Sequence, residues 1–152
     1  MEDDRLARQV FSAALFGTDR PVLLVPPRSS AVFGRRVAIA WRDEKCAVKA
    51  VIPALRYLSG AEQVHVLIGV RSQAPEPAMP RVLLEHGISA ERHVLPIGSE
   101  PFGQTLLKTA HQLGADMLVM GAYAHSPLRE LILGGVTRYI LEHADLPVLM
   151  RH

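Results

Sequence analysis

Two adjacent glycines, Gly134 and Gly135, stand inside a segment whose apolar spacing is otherwise typical of a helix. Each glycine costs a helix interior about 1 kcal/mol relative to alanine, so the pair predicts a break followed by a second helix over 136–143. The free N–H groups and positive dipole at the start of such a helix suit phosphate. The segment follows an apolar strand, 116–121, and Gly121 is expected to turn the chain off that strand. We therefore predict an anion-binding site here, with a simple helix break or a tight helix contact as the alternative.

Four other side chains offer chemistry, and each has a plainer explanation. His125 and Ser126 could contact a phosphate, but residues of these types often cap a helix such as the one that Pro127 would start. Trp41 could stack on a base or belong to the core or an interface. Cys46 could sense redox state near a helix N-terminus, although a small buried residue is the commoner role.

Sequence motifs of known catalytic types are missing from the chain. It contains no G-x-S-x-G elbow, no G-x-x-x-x-G-K-[ST] loop and no G-x-G-x-x-G turn. The seven histidines are scattered, so we expect ordinary surface histidines and no metal site. Asp116 is interpreted as a turn residue. We expect no catalytic residues and no enzyme, although slow ATP hydrolysis stays open. A phospho-receiver domain is an alternative, but Asp43 and Glu44 supply only one of its acidic positions.

The composition predicts one globular domain inside the cell. The 152 residues are 49% hydrophobic, and no apolar stretch is long enough to span a bilayer. The net charge of +2 is small and scattered, which argues against nucleic acid or a membrane as a partner. The acidic start "MEDD" does not resemble a signal peptide, and a lone cysteine fits a reducing cytoplasm.

Strands alternate with helices from residue 35 onward, which predicts a parallel, doubly wound α/β sheet. The strands are expected at 35–41, 63–70, 90–97, 116–121 and 146–150.

The two ends of the chain repeat each other. "VFSAALFGTDRPVLL" (10–24) aligns without a gap with "VTRYILEHADLPVLM" (136–150). We predict an N-terminal helix–strand extension, 1–33, that resembles the tail of a preceding repeat, and a complete domain, 34–152. Either the chain is the second half of a tandem protein, that is, the C-terminal domain of a tandem-type member, or the extension lends the domain an extra strand.

The repeated strands also predict an interface. Pro21–Val25 and Pro147–Met150 are expected to pair antiparallel, across or within subunits, and to support a homodimer. Burial at this seam is expected from Val22, Leu24, Val148 and Met150.

The segment that follows "ADMLVM" carries a family pattern. G-x-x-G, nine residues, then G-[ST] falls on Gly121, Ala124, Gly134 and Gly135. With "RRVAIAWRDEKCAVKAV" near the first strand, the chain over about 34–150 resembles the universal stress protein family. The resemblance implies a five-stranded parallel sheet of the adenine-nucleotide alpha-hydrolase-like type and a cytoplasmic stress-response role. It also implies dimers through the last strand, and ATP or AMP with magnesium as ligands.

The chain departs from the family pattern at the phosphate. Ala124 replaces a glycine, and Gly135 replaces the hydroxyl residue, with Thr137 two positions on. Arg42, Asp43 and Glu44 replace an Asp followed by Gly-Ser. We predict a stress-response module that acts through dimerisation, with a degenerate nucleotide site; the alternative is an ATP- or AMP-binding switch. The site residues implied are Ala40, Trp41, Arg42, Asp43, Met120, Gly121, Ala124, His125, Gly134, Gly135, Val136 and Thr137.

Overall fold

The computed structural model describes residues 2–122 and 135–152, which form one sheet with helices on both faces. The elements in chain order are α1 Glu2–Gly17, β1 Val22–Leu24, β2 Arg36–Trp41, α2 Lys45–Leu58, β3 Gln63–Val70, α3 Arg81–Glu85, β4 Glu91–Pro96, α4 Phe102–Gln112, β5 Met117–Gly121, α5 Gly135–His143 and β6 Val148–Arg151. Of the helices in these two ranges, none combines the length and the apolar character needed to cross a bilayer.

The strands stand in the order β1-β6-β5-β2-β3-β4, and the five from β2 to β6 are parallel. The chain runs outward from β2 through β3 to β4, then returns to β5 on the other side of β2. The predicted doubly wound, five-stranded parallel sheet is confirmed, and the N-terminal extension adds a sixth strand. The reversal of strand order puts a crevice between the carboxyl ends of β2 and β5, where open α/β sheets bind ligands.

Each face of the sheet has its own apolar layer. Helices α2 and α3 cover one face through side chains such as Val51 and Leu83, which pack on Val37, Ile39 and Val119. The opposite face is covered by α1, α4 and α5, whose buried residues include Leu15, Leu106 and Ile140. Strand β5 is buried between the two layers, which explains why its sequence is apolar throughout.

The two repeated strands pair with each other inside one chain. Strand β1 is antiparallel to β6, with Val22 opposite Met150 and Leu24 opposite Val148. The predicted antiparallel pairing is confirmed, in its intrachain form, and these four side chains pack in or against the α1, α4 and α5 layer. Strand β6 therefore lies between β1 and β5 and has no free edge to offer a second subunit. Among the described residues, no strand pairs with the outer edge of β1.

Asp116 fixes the entry of the chain into β2. Its carboxylate accepts hydrogen bonds from the backbone N–H groups of Gly34 at 2.8 Å, Arg35 at 3.2 Å and Arg36 at 3.3 Å. Its own N–H donates to the carbonyl oxygen of Arg36 at 2.8 Å. The residue interpreted as a turn residue thus connects the start of β5 to the start of β2, and its role is structural.

Candidate functional site

The crevice is built from the last residues of two neighbouring strands. Ala40 of β2 lies opposite Met120 of β5, and Trp41 and Gly121 end these strands. Helix α2 begins only a few residues beyond Trp41, so its N-terminus lies at the same edge of the sheet. The structure therefore places four of the predicted site residues at the same edge of the sheet.

Gly121 has a different role from the one predicted. It is still part of β5, in register with Arg151, and it does not turn the chain off the strand. A Cβ atom on Gly121 would lie 2.8 Å from the carbonyl carbon of Cys46 and 2.9 Å from the backbone nitrogen of Ala47. Glycine is required here because the backbone of α2's first turn packs directly on the end of β5. Protein atoms thus occupy the space beside Gly121.

Arg42 and Glu44 form an ion pair at the start of α2. The Arg42 Nε donates to Glu44 Oε1 at 2.8 Å, and the Glu44 side chain is largely buried while Arg42 is exposed. Glu44 is the N-cap residue of α2, and its side chain makes no capping hydrogen bond. Asp43 is exposed. A carboxylate at this position opposes a bound phosphate, and Arg42 offsets only part of that charge.

The remaining predicted residues of β2 and β5 belong to the two apolar layers. Trp41 packs on the layer under α2 and α3, whereas Ala40 and Met120 join the opposite layer. Trp41 is partly buried in this position, so its ring serves the core, in agreement with the plainer interpretation.

Helix α5 supplies the last predicted residues. Because α5 connects the parallel strands β5 and β6, its N-terminal end lies at the edge of the sheet where β5 ends. Gly135 is exposed, and a Cβ atom added to it would meet no heavy atom within 4 Å. Val136 packs on the apolar layer, and Thr137 is buried. Ala124, His125, Ser126 and Gly134 lie outside the described residues, as does the predicted helix break.

Cys46 is half-buried in the first turn of α2. Burial raises the pKa of its thiol; nearby Lys49 lowers that pKa and Glu44 raises it. A raised pKa is the opposite of what a reactive thiolate needs, which favours the structural role of Cys46 over the redox sensor.

Comparison with known proteins settles the family. The model of the universal stress protein family matches residues 50–152, which is more than half of the chain. The chain belongs to the universal stress protein family. Universal stress protein Slr1230 of Synechocystis sp. is 24% identical over 141 residues, and the match covers 86% of this chain and 46% of that protein. The chain thus spans about half the length of this relative.

Solved universal stress proteins share the fold. One from Archaeoglobus fulgidus superposes with a TM-score of 0.66 and 19% identity over 93% of this chain and 56% of that chain. A second, described as a universal stress protein in complex with cAMP, has a TM-score of 0.57 and 18% identity over 78% of this chain and 97% of its own. At these identities the likeness shows the fold alone.

A group of side chains at the other end of the sheet in this universal stress protein was missed by sequence reasoning. His65 of β3 is buried, with 5% of its surface exposed, so the prediction of surface histidines is wrong for this residue. His65, Glu91 and His93 bring their donor atoms within 4.8 Å of one another. Burial lowers the pKa of His65, helped by His93 and Arg36 and opposed by Glu91. The signal that could have found the group is E-x-H on β4, because alternate strand residues share a face.

Proposed function

We propose that the chain is a non-enzymatic, cytoplasmic stress-response module that acts by self-association and has a degenerate nucleotide site. The observation that carries the proposal is the apolar surface of the N-terminal extension, which we call the α1–β1 surface. It is an open groove of about 520 Å³ between α1 and β1, lined by Asp3, Leu6, Ala7, Val10, Phe11, Ala14, Val22 and Leu24.

The proposed occupant of the α1–β1 surface is a second copy of the chain. Leu6 and Val10 of α1 are 59% and 61% exposed, which is unusual for apolar residues on one helical stripe. The groove is continuous with the apolar layer that α1 and β1 already form with β6. Within residues 2–122 and 135–152, β1 is the last strand at this end of the sheet, and backbone groups on such an edge suit strand addition. A homodimer made here uses Pro21–Val25, while Pro147–Met150 stays inside each subunit.

Analytical ultracentrifugation of a matched pair of variants tests this proposal. Leu6→Glu places a charge in the α1–β1 surface, and Leu84→Glu places the same charge on α3, where Leu84 is 63% exposed. The wild type and Leu84→Glu are expected to sediment as dimers, and Leu6→Glu as a monomer with an unchanged circular dichroism spectrum. A monomeric wild type, or a dimeric Leu6→Glu variant, would refute self-association through this surface.

The degenerate nucleotide site is supported by the packing of α2 on Gly121 and by the Glu44 carboxylate at the start of α2. We expect no change in melting temperature with millimolar ATP and magnesium, because a degenerate site should not bind the nucleotide. A functional site would be detected, since a ligand at a hundred times its dissociation constant adds about 2.7 kcal/mol of stability. The absence of catalytic function is likewise proposed, and a phosphate-release assay with ATP tests it.

An adenine-nucleotide-binding switch is the second candidate function. It is favoured by Arg42, which is exposed beside a helix N-terminus, and by the related structure solved with cAMP. If this candidate is correct, ATP, AMP or cAMP raises the melting temperature of the wild type. Glu44→Gln should then strengthen binding, whereas Glu62→Gln, which removes a similar pairing with Arg35, should not.

A further inference from the structure

The group formed by His65, Glu91 and His93, which we call the histidine cluster, spans two adjacent parallel strands. His65 lies opposite Glu91 in the β3–β4 register, and His93 is two residues further along β4 on the same face. The cluster is near the amino ends of these strands, whereas the crevice at Gly121 is at the carboxyl end of the sheet. Any ligand of this cluster is therefore independent of the nucleotide site.

The three donor atoms form a compact triangle. His65 Nδ1 is 3.0 Å from His93 Nε2, and Glu91 Oε2 is 3.7 Å from the first nitrogen and 3.9 Å from the second. A point equidistant from the three atoms is about 2.1 Å from each, which is the distance at which zinc binds imidazole nitrogen and carboxylate oxygen.

A fourth side chain, that of Gln63, contacts the other ring nitrogen of the buried His65. Gln63 Oε1 lies 3.3 Å from His65 Nε2, and an amide oxygen can only accept, so this contact is a hydrogen bond in the His65 tautomer that carries its proton on Nε2. In that tautomer Nδ1 of His65 carries the lone pair, and this is the nitrogen that lies near His93 and Glu91. An outer hydrogen bond of this kind orients metal-binding histidines and fixes their tautomer.

We propose that His65, His93 and Glu91 bind a zinc ion, with Gln63 as the positioning residue for His65. Two imidazoles and one carboxylate are a common three-ligand set for zinc, and they leave a coordination position for water or an added ligand. The ligands stand on neighbouring strands of the sheet, so little chain entropy is lost on binding.

Of the charges around the histidine cluster, that of Glu91 favours a zinc ion and that of Arg36 opposes it. Glu91 contributes one negative charge, and 69% of its side chain is exposed, which leaves a path for an ion to enter. Arg36, on the neighbouring strand β2, faces His65 with a positive charge that opposes the ion. A hard cation such as Mg²⁺, which prefers oxygen ligands, gains nothing from the two imidazoles, so selectivity for zinc over magnesium is expected.

Isothermal titration calorimetry of the metal-free chain with zinc chloride tests the site. The wild type is expected to bind one zinc ion, with magnesium giving no heat. His93→Ala should weaken this binding by at least about 100-fold, and Glu91→Gln by about 10-fold or more. His143→Ala, which removes an exposed histidine on α5, and Glu62→Gln serve as matched controls and should bind as the wild type does.

Cobalt(II) supplies a second measurement that does not depend on affinity alone. Bound to two imidazoles and a carboxylate, it should show the visible absorption of a four-coordinate ion, and Glu91→Gln should change that spectrum. Glu91 is exposed, so this variant is expected to fold even if His93→Ala does not. Equal zinc affinity in the wild type, Glu91→Gln and His93→Ala would overturn the proposal and leave the cluster as a hydrogen-bonded histidine pair.

Discussion

Leu23 of β1 lies directly opposite Leu149 of β6, and these two leucines occupy the same position in the sequence repeat. In the repeat, Val22 corresponds to Val148 and Leu24 to Met150. In the antiparallel pairing each residue lies opposite the counterpart of the other: Val22 is opposite Met150, and Leu24 is opposite Val148. An approximate two-fold axis therefore passes between Leu23 and Leu149. It relates the α1–β1 unit to the α5–β6 unit, although only the second continues into a full sheet.

Leu23 and Leu149 should contribute differently to the free energy of unfolding, although they are equivalent in the repeat. Leu149 is 5% exposed and Leu23 is 36% exposed, because α2 covers β6 but not β1. We expect Leu149→Ala to lower the free energy of unfolding by about 2–5 kcal/mol and Leu23→Ala by about 1 kcal/mol. Urea denaturation followed by circular dichroism measures both. Equal losses would contradict the asymmetry of the seam.

Gly121 and Gly135 give a second contrast. Gly121→Ala places a methyl group against the backbone of Cys46 and Ala47, and we expect a loss of about 1–3 kcal/mol in the free energy of unfolding. Gly135→Ala meets no atom within 4 Å, so it should be neutral or add up to about 1 kcal/mol through helix propensity. Thermal melts of the two variants provide the measurement. A stable Gly121→Ala variant would mean that α2 can move away from β5.

Asp116 should be sensitive even to an isosteric change. Asp116→Asn keeps the shape of the side chain but replaces one acceptor oxygen with a donor that faces the N–H groups of residues 34–36. We expect a loss of about 1–3 kcal/mol in the free energy of unfolding, measured by urea denaturation. Asp145→Asn, at an exposed pairing with His111, is the control and should cost less than about 1 kcal/mol.

The charges around Cys46 predict how fast its thiol reacts. Glu44 raises the pKa of the thiol and Lys49 lowers it, so Glu44→Gln should increase the thiolate fraction and Lys49→Gln should decrease it. With iodoacetamide near pH 8, we expect the order Glu44→Gln, wild type, Lys49→Gln, from fast to slow. Mass spectrometry of the three proteins gives the rate at which iodoacetamide labels Cys46 and so tests this order. The order should persist across pH values below the thiol pKa, and a reversed order would exclude these causes.

Much of the fold followed from the sequence because the elements are strongly patterned. The unbroken apolar run of β5 predicted a central strand, and Gly114, with a φ of +68°, ends α4 where a stop was expected. The repeat of 10–24 in 136–150 predicted the β1–β6 pairing, since two strands of equal length and character suit each other. Sequence could not decide whether they pair within or between subunits.

The sites were harder to predict because they depend on distances between elements. The role of Gly121 rests on how closely α2 approaches β5, which no local pattern encodes. The histidine cluster depends on the register of β3 with β4, because a shift of one residue would send His93 to the other face. Trp41 and Cys46 each had two interpretations, and only their packing against neighbouring elements separates them.

The two outer edges of the sheet differ in how they resist unwanted strand addition. Strand β4 carries Glu91, Arg92 and Pro96, and the Arg92 guanidinium bonds to the segment that holds Glu76 and Pro77. Charge and proline on an edge discourage aggregation. Strand β1 is three apolar residues long, without charge or proline, and no strand of the described part of the chain pairs with its outer side. When the chain is concentrated or partly unfolded, fibrous or amorphous association should therefore begin at its N-terminal strand.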